Sequence, residues 1–521
     1  MESSASWIVE FYNFTTKLPQ VEVEGIGGLG DVHERAVRNG ARHGTPLIMR
    51  TSGMADTRVN LFFRTSPMAA AQPSTWRRYA YSLVVWLNFL EVFGRRWDAA
   101  TAGDVEAFKD WRVTDRANDG RVAPASFDAD RAALNCFYSW ASTRYGVVNP
   151  VPSGRWACAG RTGDVTDGRR GSRDPLRPAG ATRRQVKWLL RTAFEQWRDI
   201  GLRGYGFDGV RHPDWCGPYE DRDVAFVDGL YGTGLRLTEW ASVLDVELPG
   251  EGGDRFPRAW LAAACAKGGR HGRVYRIPRR VLTAVHGYVD PQEGSRGERV
   301  RWAQRAGRYE QLPVRRMVTG YNPRSRILTL EGTAGPVRMS VDVLGPHERR
   351  CLFRQTDNGL EPLAVWLGRD GLPKHPHGWE DTFTAANLRV AGAWTATGRE
   401  GMAPLWCTPH MCRHSFALKW FSILSMVWDN RLTGFTAEEL KDYRAQFGDI
   451  WYQLACLLGH ADPSTTRDHY LEPFTRLDVD YLMALLDGEE QTAVDTLLRM
   501  VAADSGRVLT GTDLRRAGSA G

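Results

Sequence analysis

His410-Met411-Cys412-Arg413-His414 is followed by Leu458-Gly459-His460 and then by Tyr470, toward the C-terminal end of this chain. Two spaced histidines, an arginine and a tyrosine therefore come in a fixed order. Arg236 lies far upstream, and Lys267 stands between it and this stretch. Residues so far apart act together only if the fold gathers them, so this set predicts one site built from several segments.

These residue types suit the attack of a tyrosine hydroxyl on a phosphodiester. The five-coordinate transition state carries extra charge on its oxygens, and an arginine fork donates two hydrogen bonds to such a group without losing its proton. Arginines and histidines can supply this stabilisation without a metal. A tyrosine with a pKa of about 10 needs nearby cations or a base to lose its proton. The leaving sugar hydroxyl needs a general acid, for which a lysine is a candidate.

The order Arg…Lys…His-x-x-Arg…His…Tyr resembles the tyrosine recombinases, also called phage integrases. The resemblance spans roughly residues 185 to 480, with a weaker part at 70 to 150. It is carried by four segments: Tyr231-Gly-Thr-Gly-Leu-Arg236-Leu-Thr-Glu239, Lys267-Gly-Gly-Arg-His-Gly-Arg-Val-Tyr-Arg-Ile-Pro278, Thr408-Pro-His410-Met-Cys-Arg413-His-Ser-Phe416, and Leu457-Leu-Gly-His460-Ala-Asp-Pro-Ser-Thr-Thr-Arg-Asp-His-Tyr470.

The resemblance implies a role for each of these residues. Tyr470 would attack the scissile phosphate and become linked to a 3′-phosphate, and Lys267 would protonate the leaving 5′-hydroxyl. The groups that would hold the phosphorane are Arg236, Arg413, His410 and His460. Supporting roles fall to Glu239, as a salt-bridge partner of Arg236, and to a buried His414. Arg270 and Arg273 are local rivals of Lys267, or phosphate contacts.

Two departures from the family pattern concern spacing. Tyr470 lies ten residues after His460, where the family usually has nine, and Tyr481 is the fallback nucleophile. The interval between Lys267 and His410 is also longer than in a compact member. We interpret 290–385, which is rich in Arg, Gly and Pro, as an insertion.

The predicted fold is mainly α with a small β-sheet or hairpin: a helical core-binding domain joined to an α+β catalytic domain. Amphipathic helices are expected at 74–90 and 126–143, with a capping box at Thr101-Ala-Gly-Asp104 between them. The expected organisation is an N-terminal extension at 1–70, the helical DNA clamp at 71–152, a basic linker at 153–185, the catalytic domain at 186–480, and a C-terminal helix and tail at 481–521.

Composition agrees with this interpretation. The formal net charge is +7 over 521 residues, and charged residues make up 25%. This modest excess of positive charge fits a polyanionic partner. No apolar run approaches the roughly 20 residues of a membrane span, and no signal peptide is evident. The 8 cysteines are scattered singly, which predicts reduced thiols in a cytoplasm. The composition, rich in Arg and Ala, suggests a bacterial source, and the resemblance implies a protein associated with the nucleoid.

A metal site is the alternative interpretation of Cys407, His410, Cys412 and His414, which are four possible zinc ligands close together in the sequence. A structural zinc site usually needs a second, distant pair, and only His375 and His377 suggest one. We therefore expect the two cysteines to pack beside the start of a helix, and we expect neither a metal nor a cofactor.

The resemblance implies a site-specific recombinase that acts in the integration, excision or transposition of mobile DNA. Its partner would be double-stranded DNA, with four protomers on two duplexes and an accessory DNA-bending or directionality protein. Two alternatives stay open. One is a type IB topoisomerase-like enzyme that acts on one duplex. The other is an inactive integrase-like protein that only binds DNA.

Overall fold

The fold is that of a computed structural model, which describes residues 6–14, 22–23, 27–28, 32–71, 73–151, 188–250, 252–267, 271–398, 405–432, 436, 438–439 and 448–459. The chain divides into two compact units, Met1–Arg183 and Arg184–Gly521. The linker predicted at 153–185 and the C-terminal helix predicted after 480 lie outside the described residues.

The first unit is built around three long helices. Its elements are β1 (Trp7–Phe11), β2 (Glu22–Val23), β3 (Gly27–Gly28), α1 (Val32–Arg38), β4 (Pro46–Arg50), α2 (Thr57–Leu61), α3 (Pro73–Val92), α4 (Ala102–Val113) and α5 (Pro124–Tyr145). Strands β1 and β4 pair antiparallel. Trp7, Ile48 and Phe62 are buried in the same core as the three long helices. The helical unit predicted for 71–152 therefore shares its core with residues that precede it.

The helices of this unit follow their sequence signals. The predicted helix at 74–90 is α3, and the buried side chains Trp76, Leu83 and Trp86 lie on its inner face. The capping box is confirmed: the Thr101 side chain accepts from the Asp104 backbone N–H, and the Asp104 carboxylate accepts from Thr101 N at 2.8 Å.

The second unit is a helical layer with small sheets. Its helices are α6 (Arg191–Arg203), α7 (Glu220–Thr233), α8 (Leu237–Ala241), α9 (Arg279–Val289), α10 (Ser295–Arg305), α11 (Pro346–Arg349), α12 (His377–Ala396), α13 (Pro409–Leu432) and α14 (Ile450–Leu458). Phe226, Trp379 and Cys412, from three different helices, are buried in one core. Helices α7 and α13 are therefore fixed on the same core, which places their ends close together.

The strands of the second unit form two sheets. They are β5 (Arg258–Leu261), β6 (Arg273–Arg276), β7 (Arg316–Asn322), β8 (Ile327–Leu330), β9 (Val337–Ser340), β10 (Leu352–Thr356) and β11 (Gly359–Pro362). Strands β5 and β6 form the antiparallel hairpin that the sequence predicts around Lys267. The other strands make a five-stranded sheet in the order β11-β10-β7-β8-β9. The segment 290–385 is thus largely folded, and its last part belongs to α12.

The sheet has its own apolar contacts. Leu328, Val341 and Leu352 are buried together with Leu244, which follows α8. Beneath them, the Arg349 guanidinium donates to both carboxylate oxygens of Glu247, at 2.6 and 3.0 Å. This segment is therefore joined to the unit through the chain that follows α8. None of the described helices is long and apolar enough to cross a membrane.

Candidate active site

The first element of the site is the turn between α7 and α8. Helix α7 ends at Gly234, which has a φ of 66°. A Cβ at this position would lie 2.3 Å from Phe416 of α13, so both the conformation and the space require glycine. This close approach lets the chain turn sharply, and Arg236 follows as the residue that caps α8.

Glu239, one turn into α8, holds this arginine. Its side chain is 1% exposed, and Oε1 accepts from Arg236 Nη1 at 2.9 Å. Oε2 accepts from the Arg236 backbone N–H at 3.0 Å and from Arg273 Nη2 at 2.8 Å. The predicted Arg236–Glu239 pair is present. Burial raises the pKa of Glu239, but the charges of Arg273, Arg413 and Arg236 and the Arg236 N–H outweigh it and lower the pKa.

The second element is the start of α13, which begins at Pro409 as the sequence predicts. Arg413 is 1% exposed. Its Nη1 donates to the Gly234 carbonyl and its Nη2 donates to the Leu458 carbonyl at 2.6 Å. One guanidinium thus links the turn before Arg236, the start of α13 and the end of α14. Arg236 is the more accessible of the two arginines, with 25% of its side chain exposed.

His410 lies among these cations. Partial burial, followed by the charges of Arg413, Arg236 and Lys267, lowers the pKa of His410 below its ordinary value. The neutral form of the imidazole is therefore favoured in the free protein. Lys267 is exposed, in the connection between β5 and β6, and its charge adds to those of the two arginines in lowering the pKa of His410. The structure thus brings Arg236, His410 and Arg413 together, and the charge of Lys267 acts on the same histidine.

The remaining histidine and the two cysteines of this segment are inside the fold. His414 is 7% exposed, as predicted for a supporting residue, and its ring meets that of His410 edge to face at 4.4 Å. Cys407 and Cys412 are buried with their Sγ atoms 3.7 Å apart. Burial and the Cys412 thiol raise the pKa of Cys407, which disfavours the thiolate that a metal would need.

These cysteines therefore pack at the start of the helix, as expected. In the part of the chain that the structure describes, no group of three or more His, Cys, Asp or Glu side chains could hold a metal ion.

Two predicted residues, His460 and Tyr470, lie outside the described residues, as does the fallback Tyr481. The described chain ends one residue before His460, at Gly459, which caps α14 with a φ of 69°. The sequence singles out Arg273 only as a rival of Lys267 or a phosphate contact, and it does not predict the bond of Arg273 to the buried Glu239. Arg273 shares the inward face of β6 with the buried Tyr275, and an arginine at an inward strand position is the signal that could have revealed it.

Comparison with known proteins gives a likeness to solved structures. One is the XerA recombinase, 13% identical, with 82% of this chain and 96% of that chain covered and a TM-score of 0.26. Another is the XerH site-specific recombinase bound to palindromic difH substrate in a post-cleavage complex, with 12% identity, 90% of each chain covered and a TM-score of 0.39. A third is the Tn1549 transposon integrase in complex with circular intermediate DNA, which is 13% identical. The match covers 83% of this chain and 98% of that chain, with a TM-score of 0.40.

At such identities and TM-scores the likeness does not by itself assign a family or an activity to this chain. No protein-family model and no curated protein matches it.

Proposed function

We propose that this chain is a site-specific DNA recombinase of the tyrosine type, which cleaves and rejoins DNA in the integration, excision or transposition of mobile elements. Tyr470 attacks the scissile phosphate and forms a 3′-phosphotyrosine, while Lys267 protonates the departing 5′-hydroxyl. Because the phosphotyrosine conserves the energy of the broken bond, rejoining needs no nucleotide cofactor.

The observation that carries the proposal is the convergence of positive charge around His410 and the neighbouring Glu239. Arg236, Arg273, Arg413 and Lys267 supply four positive charges, against one negative charge from Glu239, and they come from the start of α8, the β5–β6 hairpin and α13. Three positive charges in excess among these five side chains favour an anion. A phosphodiester that gains charge in its transition state is such an anion.

The geometry supports different roles for the two arginines. Arg236 is held by Glu239 but keeps a quarter of its side chain exposed, at 25%, so it suits direct contact with a phosphate oxygen. Arg413 is almost wholly buried and fixes Gly234 and Leu458 through their carbonyls. It supports the site from beneath as well as adding charge. His410, whose neutral form is favoured in the free protein, can donate one hydrogen bond to a phosphate oxygen.

DNA is the proposed partner, with four protomers on two duplexes that exchange strands through a four-way junction. The test uses two labelled duplexes that carry the same site, together with the wild-type chain and Tyr470→Phe. Recombinant products and a four-protomer complex that depend on Tyr470 would support the proposal. Relaxation of a single supercoiled plasmid without strand exchange would favour the topoisomerase-like alternative. Binding that Tyr470→Phe leaves unchanged, with no covalent product from either protein, would favour the binding-only alternative.

A further inference from the structure

Arg273 connects two parts of the site that are distant in sequence. It stands at the start of β6, where its side chain is 15% exposed, and its Nη2 donates to Glu239 Oε2 at 2.8 Å. The same oxygen accepts from the backbone N–H of Arg236 at 3.0 Å. Arg273 therefore fixes the Glu239 carboxylate. That carboxylate in turn binds the backbone N–H of Arg236 through Oε2 and the Arg236 guanidinium through Oε1.

The other face of the Arg273 side chain lies against Gly459. A Cβ on Gly459 would stand 2.4 Å from both Cζ and Nε of Arg273, so the guanidinium occupies the space that any larger residue would need. Gly459 ends α14 and immediately precedes His460 in the sequence. Arg273 thus touches the end of the segment that leads to His460 while it holds the carboxylate beside Arg236.

The hydrogen bonds of Arg273 do not use all of its donors. In the described part of the chain, Arg273 Nε is buried and has no hydrogen-bond partner. A buried donor left unpaired is unfavourable, so the Glu239 ion pair and the contact with Gly459 are what hold this guanidinium in place. A general acid is also the wrong role, because a guanidinium does not give up its proton.

We propose that Arg273 is a positioning residue, which holds Arg236 at a fixed distance from the Gly459 turn by clamping Glu239 on one side and that turn on the other. This inference deepens the proposed function and rests on it. The planar guanidinium is essential because its Nη2 must bind the Glu239 carboxylate while its Cζ and Nε pack on Gly459. A lysine would keep the charge but would lose that geometry.

The first test measures the rate of covalent adduct formation on nicked DNA at saturating protein, together with the dissociation constant for DNA. We expect Arg273→Gln to slow cleavage by up to about 100-fold, the scale of a misplaced reacting group, with little change in binding. Arg273→Lys should recover only part of the rate. The matched control is Arg276→Gln on the same strand, because Arg276 is exposed and bonds only weakly to the Phe256 carbonyl at 3.4 Å. An Arg273→Gln rate equal to the control rate would overturn the inference.

A second readout is the pH profile of cleavage. The groups that face Glu239 are Arg236 at the start of α8, Arg273 on β6, Arg413 on α13 and the Cys265 thiol. Since Arg273 contributes the largest charge effect that lowers the pKa of Glu239, its removal raises that pKa. As the pH falls, the Glu239 carboxylate of the variant therefore gains its proton at a higher pH than that of the wild type. The acid limb of the Arg273→Gln profile should therefore move to higher pH, whereas an unmoved limb would contradict the clamp.

A third test addresses the Gly459 contact. Gly459→Ala should displace Arg273 and slow cleavage as Arg273→Gln does. Gly448→Ala is the matched control, since Gly448 has a φ of 71° and an added Cβ would meet only the exposed side chain of Tyr452, at 2.4 Å. Both variants carry similar backbone strain, so equal cleavage rates would count against the contact.

A thermal-unfolding cycle separates this inference from the proposed function. Glu239→Gln, Arg273→Gln and the double variant should give non-additive losses in Tm, because the two side chains act as one unit. Additive losses would overturn the clamp whether or not the protein cleaves DNA. A wild-type chain that forms no adduct, but in which the two residues are coupled, would contradict the recombinase proposal and leave the clamp standing.

Discussion

At the scale of single residues, the site depends on arginines that differ in burial. Arg236 is the accessible one, Arg413 is buried against two carbonyls, and Arg273 is clamped between a carboxylate and a glycine. The sequence predicted the first two and the partnership of Arg236 with Glu239. It did not predict the depth of Arg413 or the task of Arg273, because both depend on contacts with segments far away in the chain.

Arg413→Ala should reduce both stability and cleavage. The variant leaves the carbonyls of Gly234 and Leu458 without their charged donor, which should cost roughly 2–5 kcal/mol of unfolding free energy. Separately, loss of the charge should raise the activation free energy of cleavage by ~3–4 kcal/mol, by analogy with lost oxyanion donors. Denaturant unfolding and single-turnover cleavage by the folded fraction measure the two effects. Arg413→Lys is the control that keeps the charge, and an Ala variant as stable as wild type would remove the structural role.

The affinity for DNA should rise as the pH falls through the range in which His410 titrates. The pKa of His410 is lowered in the free protein by burial and the surrounding cations, and a bound phosphate anion raises it. At a pH between the His410 pKa of the free protein and that of the DNA complex, binding of DNA is accompanied by uptake of up to about one proton per site. Fluorescence anisotropy across this range should show the dependence in wild type and in His212→Gln, whose imidazole is 69% exposed. The dependence should disappear in His410→Gln, and its persistence there would assign the proton to another group.

At the scale of elements, local signals predicted some parts well and others poorly. The capping box at Thr101, the helix that starts at Pro409 and the hairpin around Lys267 each follow from a few neighbouring residues. The five-stranded sheet was not predicted from 290–385. Its strands β8 and β9 are four residues long, and β10 pairs in parallel with β7 across an intervening segment, so its register depends on contacts that local periodicity does not contain.

Arg349 should be essential to the attachment of this sheet segment. It is 3% exposed and bonds Glu247 through two nitrogens, at 2.6 and 3.0 Å. Arg349→Leu leaves a buried carboxylate without its partner, which should cost about 3–5 kcal/mol of unfolding free energy. Urea unfolding measures the loss, with Arg350→Leu at the next position as the control. Equal losses in the two variants would mean that the ion pair does not hold the segment.

At the scale of the whole molecule, side chains from distant segments supply the positive charge of the site. Arginine forks stabilise a phosphorane directly, so the account needs no metal. DNA cleavage and strand exchange should therefore proceed at the wild-type rate in excess EDTA. A rate that falls on chelation and returns with added zinc or magnesium would show that a metal takes part.

The proposed chemistry requires that Tyr470 becomes covalently joined to DNA. The most direct measurement incubates the full chain with nicked DNA fragments from its own genetic neighbourhood, without metal, then digests the protein and identifies the DNA-linked peptide by mass spectrometry. The account predicts DNA on the peptide that contains Tyr470, and no adduct from Tyr470→Phe, which should still bind. An adduct on Tyr481 or another residue would contradict the assignment of the nucleophile. Tight binding without any adduct would contradict the proposed chemistry as a whole.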